Sequence, residues 1–226
     1  MYAFQSVTPH IWRMQLWYTV MPVNVWLVRE DDGWTLIDAG AKPHAEKLIR
    51  SILTQLNGWP LQRIALTHGH VDHAGSLLAL TQAFPNAQVI CHREEAPFVT
   101  GEKRYADLHP DHRSYRLAPK FPPQAPGVHF TQIEDGDLVG SMYAVYTPGH
   151  TPGHVAYWHQ TDNAIICGDA FLNILEISPP LNMFSSNLEG VQKSINLIGE
   201  LNFAHLLPSH GNPILNKGRT QARRLR

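Results

Sequence analysis

One pattern occurs twice in the 226-residue chain and restricts its fold more than any other feature. Residues 24–40 read NVWLVREDDGWTLIDAG, and residues 154–170 read HVAYWHQTDNAIICGDA. Each copy is an apolar, β-prone run, a polar turn, a second apolar run and then Asp-Ala. Each half then returns, after a helical stretch, to a short apolar strand ending in histidine. These strands are RIALTHGH at 63–70 and HLLPSHGN at 205–212. The repeat distance is too long for a solenoid. Two related halves, each of strands followed by a helix, predict an α+β fold in which two sheets pack face to face with helices outside. Strand exits from both halves then meet at one edge.

The remaining elements fit that plan. Helical spacing of apolar residues runs from Pro43 to about Leu56, and again from Ala74 to Ala83. Short strands are expected at 63–67, 88–91, 129–133, 138–139, 143–146, 154–159 and 164–167. Residues 95–127 differ, holding six of the seventeen prolines and little periodicity. They read as a long functional insertion, with a lid as one role, inside a single domain spanning 1–226. His10, His44, His92, His109, His112, His129, His159 and His205 are scattered and read as surface or core.

Composition removes several functions. The net charge is -1, so no global field steers the chain to nucleic acid. No apolar stretch approaches the roughly 20 residues that span a bilayer. The N-terminus lacks a basic segment followed by an apolar run, which predicts a soluble cytoplasmic protein. Cys91 and Cys167 lie in apolar strand-like runs without metal or redox spacing, and read as buried free thiols. Exposed aromatics near the N-terminus leave room for a homodimer.

Histidine carries the chemistry, with fourteen in the chain. HGHVDHAG places His68, His70, Asp72 and His73 within six residues, at the exit of a strand and the entry to a helix. A buried imidazole without partners pays desolvation, so four such groups are costly to explain as core. Imidazole and carboxylate suit zinc, iron or manganese. Four ligands from one loop are too many for one ion, and two ions sharing them need more. His150 in TPGHTPGH, Asp169 in CGDA and His210 in PSHG are of the right type. Each follows an apolar run and is flanked by Gly or Pro.

HGHVDHAG, TPGHTPGH, GDA and PSHG, in this order, resemble the motif series of the metallo-β-lactamase superfamily, nearest its glyoxalase II and lactonase-like branches. The resemblance covers residues 24–213. It implies a four-layer αββα sandwich with two divalent cations at the sheet edge, zinc first, with iron or manganese as alternatives. Residue by residue, His68, His70 and His150 would bind the first ion and Asp72, His73 and His210 the second, with Asp169 bridging. Asp38 matches a position that steadies the site without being a ligand. His154 would pack or hydrogen-bond at the strand start.

The resemblance also implies a reaction. A hydroxide bridging the ions would attack an ester-like carbonyl of a small molecule (a thioester, lactone or carboxylic ester), and Asp72 would pass a proton to the leaving group. A mono-iron persulfide dioxygenase using His68, His150 and Asp169, and a β-lactam hydrolase, are the alternatives. Asp169 stands where true β-lactamases with a Cys ligand carry it. Leu172 stands where acyl-homoserine lactonases place a Tyr. Only 16 residues follow His210, so the helical glutathione-binding domain of longer glyoxalase II enzymes is not expected. Trp17, Tyr18, Met21 and Pro22, together with Phe171, Leu172, Ile174, Leu175, Met183 and Phe184, are candidate walls of an apolar substrate pocket.

Overall fold

The computed structural model describes residues 3–108 and 124–226. The first sheet has seven strands in chain order: β1 (Gln5–Ser6), β2 (Ile11–Tyr18), β3 (Met21–Glu30), β4 (Gly33–Ile37), β5 (Leu61–Ala65), β6 (Gln88–His92) and β7 (Thr131–Ile133). β1 to β4 are antiparallel, and β4 to β7 run parallel. The second sheet contains β8 (Leu138–Val139), β9 (Met142–Tyr146), β10 (Val155–His159), β11 (Ala164–Asn173) and β12 (Ile177–Ser178), with β13 (His205–Gly211) pairing parallel to β11. The two copies of the sequence pattern are the β3–β4 and β10–β11 hairpins.

The helices are α1 (Ala45–Leu56), α2 (Val71–Ala74), α3 (Leu77–Ala83), α4 (Ala96–Thr100), α5 (Leu188–Glu200) and α6 (Gly218–Ala222). Three apolar layers place them. Leu48, Ile52 and Leu56 of α1, with Leu77 and Leu80 of α3, pack on Val25, Leu27, Leu36 and Ile64 of the first sheet. Trp26, Val28, Ile37 and Ile90 meet Met142, Val155, Tyr157, Ile166 and Leu207 between the sheets. Val191, Ile195 and Ile198 of α5 cover Ile165, Cys167 and Phe171 on the far side of the second sheet. The molecule is thus an α+β sandwich in four layers, helix, sheet, sheet, helix. β3 shows why: Val25 and Leu27 face the helices while Trp26 and Val28 face the other sheet. A strand covered on both faces reads as a continuous apolar run.

One strand is added and three expectations are corrected. β2 is a full strand of eight residues, pairing from Ile11↔Val28 to Tyr18↔Met21. Its Arg13 and Gln15 broke the apolar pattern, and Met21 rather than Asn24 opens β3. The helix expected over 74–83 is broken at Gly75–Ser76, where Ser76 bonds outside the helix, its N–H to the Gly40 carbonyl at 3.0 Å and its hydroxyl to the Ala41 carbonyl at 2.7 Å. Asp169 and His210 lie inside β11 and β13 rather than at strand exits. The β11–β13 register shifts on both sides of Gly168, whose partner Pro208 has no N–H to give the ladder. That irregularity turns Asp169 towards the sheet edge. Of the insertion, α4 and a short 3-10 turn at Tyr105–Asp107 are seen. Residues 109–123 of the expected lid, with His109 and His112, lie outside the described residues.

Candidate metal centre

The segment after β5 carries His68 and His70, and it is fixed by Asp38 at the exit of β4. Asp38 is fully buried and left-handed, with φ 64. Its carboxylate accepts the Thr67 N–H at 2.8 Å and the Thr67 hydroxyl at 2.9 and 3.0 Å. Oδ2 also accepts from His73 Nδ1 at 2.9 Å and from the Ser209 hydroxyl at 3.3 Å. One side chain therefore ties β4, the β5 exit, α2 and β13 together.

Hydrogen bonds on the far side of each ring decide which nitrogen faces the centre. His73 Nδ1 donates to Asp38, and His210 Nδ1 donates to the Pro22 carbonyl at 2.8 Å. His68 Nδ1 donates to the Thr67 hydroxyl at 3.0 Å, since that hydroxyl's own proton goes to Asp38. All three rings then turn Nε2 inward, bare whenever the ring is neutral. His150 sits in the turn between β9 and β10, which packs so closely on α5 that a Cβ at Gly149 would lie 2.2 Å from the Val191 nitrogen.

Two groups result. His68 Nε2 and His150 Nε2 lie 3.1 and 3.0 Å from His70 Nδ1. Ligands at zinc distances on a tetrahedron are about 3.3 Å apart. His73 Nε2 lies 3.4 Å from His210 Nε2, and Asp72 Oδ2 lies 3.8 and 3.5 Å from those two nitrogens. Asp169 stands between the groups. Its Oδ2 is 3.4 Å from His150 Nε2 and 3.3 Å from His210 Nε2, and its Oδ1 is 3.6 Å from His73 Nε2. The seven side chains singled out in the sequence are brought to one place.

Charge divides the same way. Burial drives His68 and His150 well below the usual histidine range and takes His70 down to about 4. Burial also opposes the charge on His73, but Asp169, Asp72 and Asp38 outweigh it and push that ring up to about 10. His210 is raised against burial by Asp169. Asp169 is held well below the usual carboxylate range, burial being outweighed by His210 and His73. The donor set fits cations. Five imidazoles and two carboxylates turn their donor atoms to one buried place, and Asp169 Oδ1 is buried there with no hydrogen-bond partner among the described residues.

The other expected residues divide. His154 lies behind the centre, its Nε2 accepting the Asp169 N–H at 3.0 Å and its Nδ1 meeting the Thr147 hydroxyl at 2.8 Å. Phe171 is fully buried under α5 and is core, not a pocket wall. Leu172 is buried and paired in register with His210. Trp17 and Tyr18 stand at the tip of the β2–β3 hairpin, with Trp17 59% exposed. Ile174, Leu175, Met183 and Phe184 are also exposed, in the segment between β11 and α5.

Three scattered histidines have structural work that their positions in the sequence do not reveal. His44 accepts the Ala41 N–H on Nδ1 and donates from Nε2 to the Trp17 carbonyl at 2.9 Å, anchoring the hairpin. His10 and His159 gather on Asp162 at the opposite end of β10. Asp162 accepts from His10 Nδ1 at 2.6 Å, from the His10 N–H at 2.8 Å and from the Thr8 hydroxyl, while its own N–H donates to His159 Nδ1 at 3.0 Å. These atoms satisfy one another as a staple. Glu95, in the insertion, was also missed. It is fully buried beneath the His68–His70 loop, and burial raises its carboxyl against the hydrogen bonds it accepts.

The sequence profile of the Metallo-beta-lactamase superfamily matches residues 18–210, from the β2–β3 hairpin to the last of the seven side chains. The chain belongs to the metallo-beta-lactamase superfamily. Superfamily relatives include YobT of Bacillus subtilis, named as an uncharacterized protein, 36% identical over 71% of this chain and 67% of its own length. "Probable metallo-hydrolase YflN" of the same organism is 29% identical over 88% of this chain and 84% of its own. The hydroxyacylglutathione hydrolase of Aeromonas hydrophila is 29% identical over 66% of this chain but only 46% of its own length. Among solved structures, TTHA1623 in a di-iron-bound form superposes with a TM-score of 0.70 at 26% identity, covering 92% of this chain and 97% of that one. The chain is a metal-dependent hydrolase of this superfamily.

Proposed function

We propose that the chain hydrolyses an ester-like carbonyl (a thioester, a lactone or a carboxylic ester) with two divalent cations, zinc first. His68, His70 and His150 would hold one ion and Asp72, His73 and His210 the other, with Asp169 shared. The observation that carries this reading is the position of Asp169 Oδ2, 3.4 and 3.3 Å from one nitrogen of each group. The di-iron form of TTHA1623, 26% identical, supports a count of two. Cations bound there lower the pKa of a water and polarise a carbonyl oxygen.

The chain's own side chains supply the rest. Asp72 is more open than its neighbours Asp169 and His210, with its side chain 20% exposed against 7% and 4%. It can hold a proton at Oδ2 and release it to a leaving group at the mouth. Asp38 keeps His73 in one tautomer throughout. On this reading the mouth would be edged by Trp17 and Tyr18, whose hairpin is anchored through His44, and by the 174–184 segment, whose neighbour Ser186 donates to the His150 carbonyl at 3.0 Å. Apolar side chains there favour a substrate with an apolar portion. Similarity to hydroxyacylglutathione hydrolase puts thioesters first among the candidates.

The test pairs metal analysis with a substrate screen. Metal-reconstituted protein is offered thioesters, lactones, carboxylic esters, β-lactams and phosphodiesters, with Asp72→Ala as control. About two ions per chain and turnover of an ester-like class, falling by about 10²-fold or more in the control, are expected. Full activity after complete metal removal, or one iron per chain with oxygen consumption, would overturn the proposal.

A further inference from the structure

Asp38 braces the group around His73, and a second buried carboxylate braces the three-imidazole group. Glu95 precedes α4, and no part of its side chain reaches solvent. Its Oε1 accepts the Gly69 N–H at 2.8 Å, and its Oε2 accepts the Gly153 N–H at 2.8 Å. Gly69 separates His68 from His70, and Gly153 closes the turn that carries His150. One carboxylate therefore joins two loops from different sheets that supply all three imidazoles of the first group. The Tyr105 hydroxyl also donates to Oε1. The Tyr105 ring packs edge-on against His70, with centroids 5.0 Å apart, and stacks on Phe98 at 4.6 Å.

The two glycines fit this arrangement. A Cβ at Gly69 would lie 2.5 Å from the Tyr105 hydroxyl and 2.6 Å from Val99 Cγ2. A Cβ at Gly153 would lie 2.3 Å from the Glu95 nitrogen. The loops can approach the carboxylate only because neither carries a side chain at that point. Among the described residues the groups turned to Glu95 are donors, the Gly69 and Gly153 N–H groups and the Tyr105 hydroxyl with the Thr151 hydroxyl beside them, which suits a carboxylate and leaves a neutral substitute mismatched.

We propose that Glu95 is a positioning residue for the first cation site, holding His68, His70 and His150 at binding distance by clamping Gly69 to Gly153. This rests on the dinuclear reading above. Aspartate is too short to reach both N–H groups, and glutamine keeps the shape but offers one acceptor where two donors wait.

The test reads each site alone, with Co(II) as probe and zinc competition as a check. A His210→Ala background isolates the three-imidazole site, and a His70→Ala background isolates the other. Adding Glu95→Gln to the first is expected to weaken Co(II) binding on the order of 10-fold to 100-fold and to alter its visible spectrum. Adding it to the second is expected to change affinity by less than about threefold, against the same scale. Tyr105→Phe, which removes one donor and keeps the carboxylate, is expected to weaken the first site by about twofold to tenfold and to leave the second unchanged, and it serves if Glu95→Gln does not fold. Unchanged affinity and spectrum at the first site, or equal weakening of both sites, would overturn the role of Glu95. If the wild-type chain takes up one equivalent, the dinuclear reading falls, and Glu95 is judged by the same fold-change at the site that remains.

Discussion

At the scale of single residues, what could be read depended on how far apart the partners stand. HGHVDHAG announces itself because four donors share one loop, and a cluster of that kind has few apolar explanations. Glu95 gave no such sign, since its partners are backbone N–H groups at Gly69 and Gly153 and a tyrosine ten residues on. Phe171 misled in the other direction. It follows Asp169 by two residues, but the strand is irregular at Gly168, φ 54, and the ring goes to the layer under α5. Asp38 invites a direct test. In Asp38→Asn one oxygen becomes an amide that cannot accept from both Thr67 and His73. Loss of about 1–3 kcal/mol in denaturant unfolding is expected. Binding at the Asp72–His73–His210 group should weaken about 10-fold to 100-fold, measured by cation titration.

At the scale of elements, the doubled hairpin and the helix at 45–56 were legible because burial on both faces, or on one stripe, leaves a periodic trace. β2 was not, because its charged and amide side chains alternate on a half-covered strand. The Asp162 staple shows a further limit, since it joins the β1–β2 turn to the β10–β11 turn across 152 residues. Burial works to raise the Asp162 carboxyl, but the hydrogen bonds from His10 and Thr8 outweigh it and hold it below the ordinary range. A carboxyl lowered on folding stabilises the fold above its unfolded pKa of about 3.9, and that contribution disappears as pH falls through the folded value. Asp162→Asn should therefore melt below wild type at neutral pH, with the difference closing below about pH 4. Thermal unfolding across pH measures it, and a constant difference down to pH 2 would contradict the role given to the staple.

At the scale of the whole molecule, each candidate cation group draws on both sheets. His68, His70, Asp72 and His73 come from the first half of the chain, and His150, Asp169 and His210 from the second. The order of layers followed from the repeat, but the seam's exact closure needed long-range contacts such as Asn24 donating to the Pro208 and Gly211 carbonyls at 2.9 and 2.8 Å. Cations held across the seam stabilise the docked halves by mass action, about 2.7 kcal/mol at a hundredfold excess over the dissociation constant. Chelation should lower the melting temperature by several degrees, and zinc should restore it; no shift in either direction would argue against a cation bound by both halves.

The staple around Asp162 lies at the end of β10 remote from the metal centre, and this asymmetry has a mechanical consequence. The sandwich is closed at one rim by hydrogen bonds alone, and at the other by hydrogen bonds such as Asn24 to Pro208 with, on the dinuclear reading, cations added to them. Stripped of ions, it should loosen first at the rim that holds Thr67 and Asp169. Amide exchange there should quicken on chelation while the Asp162 amide keeps its wild-type pace.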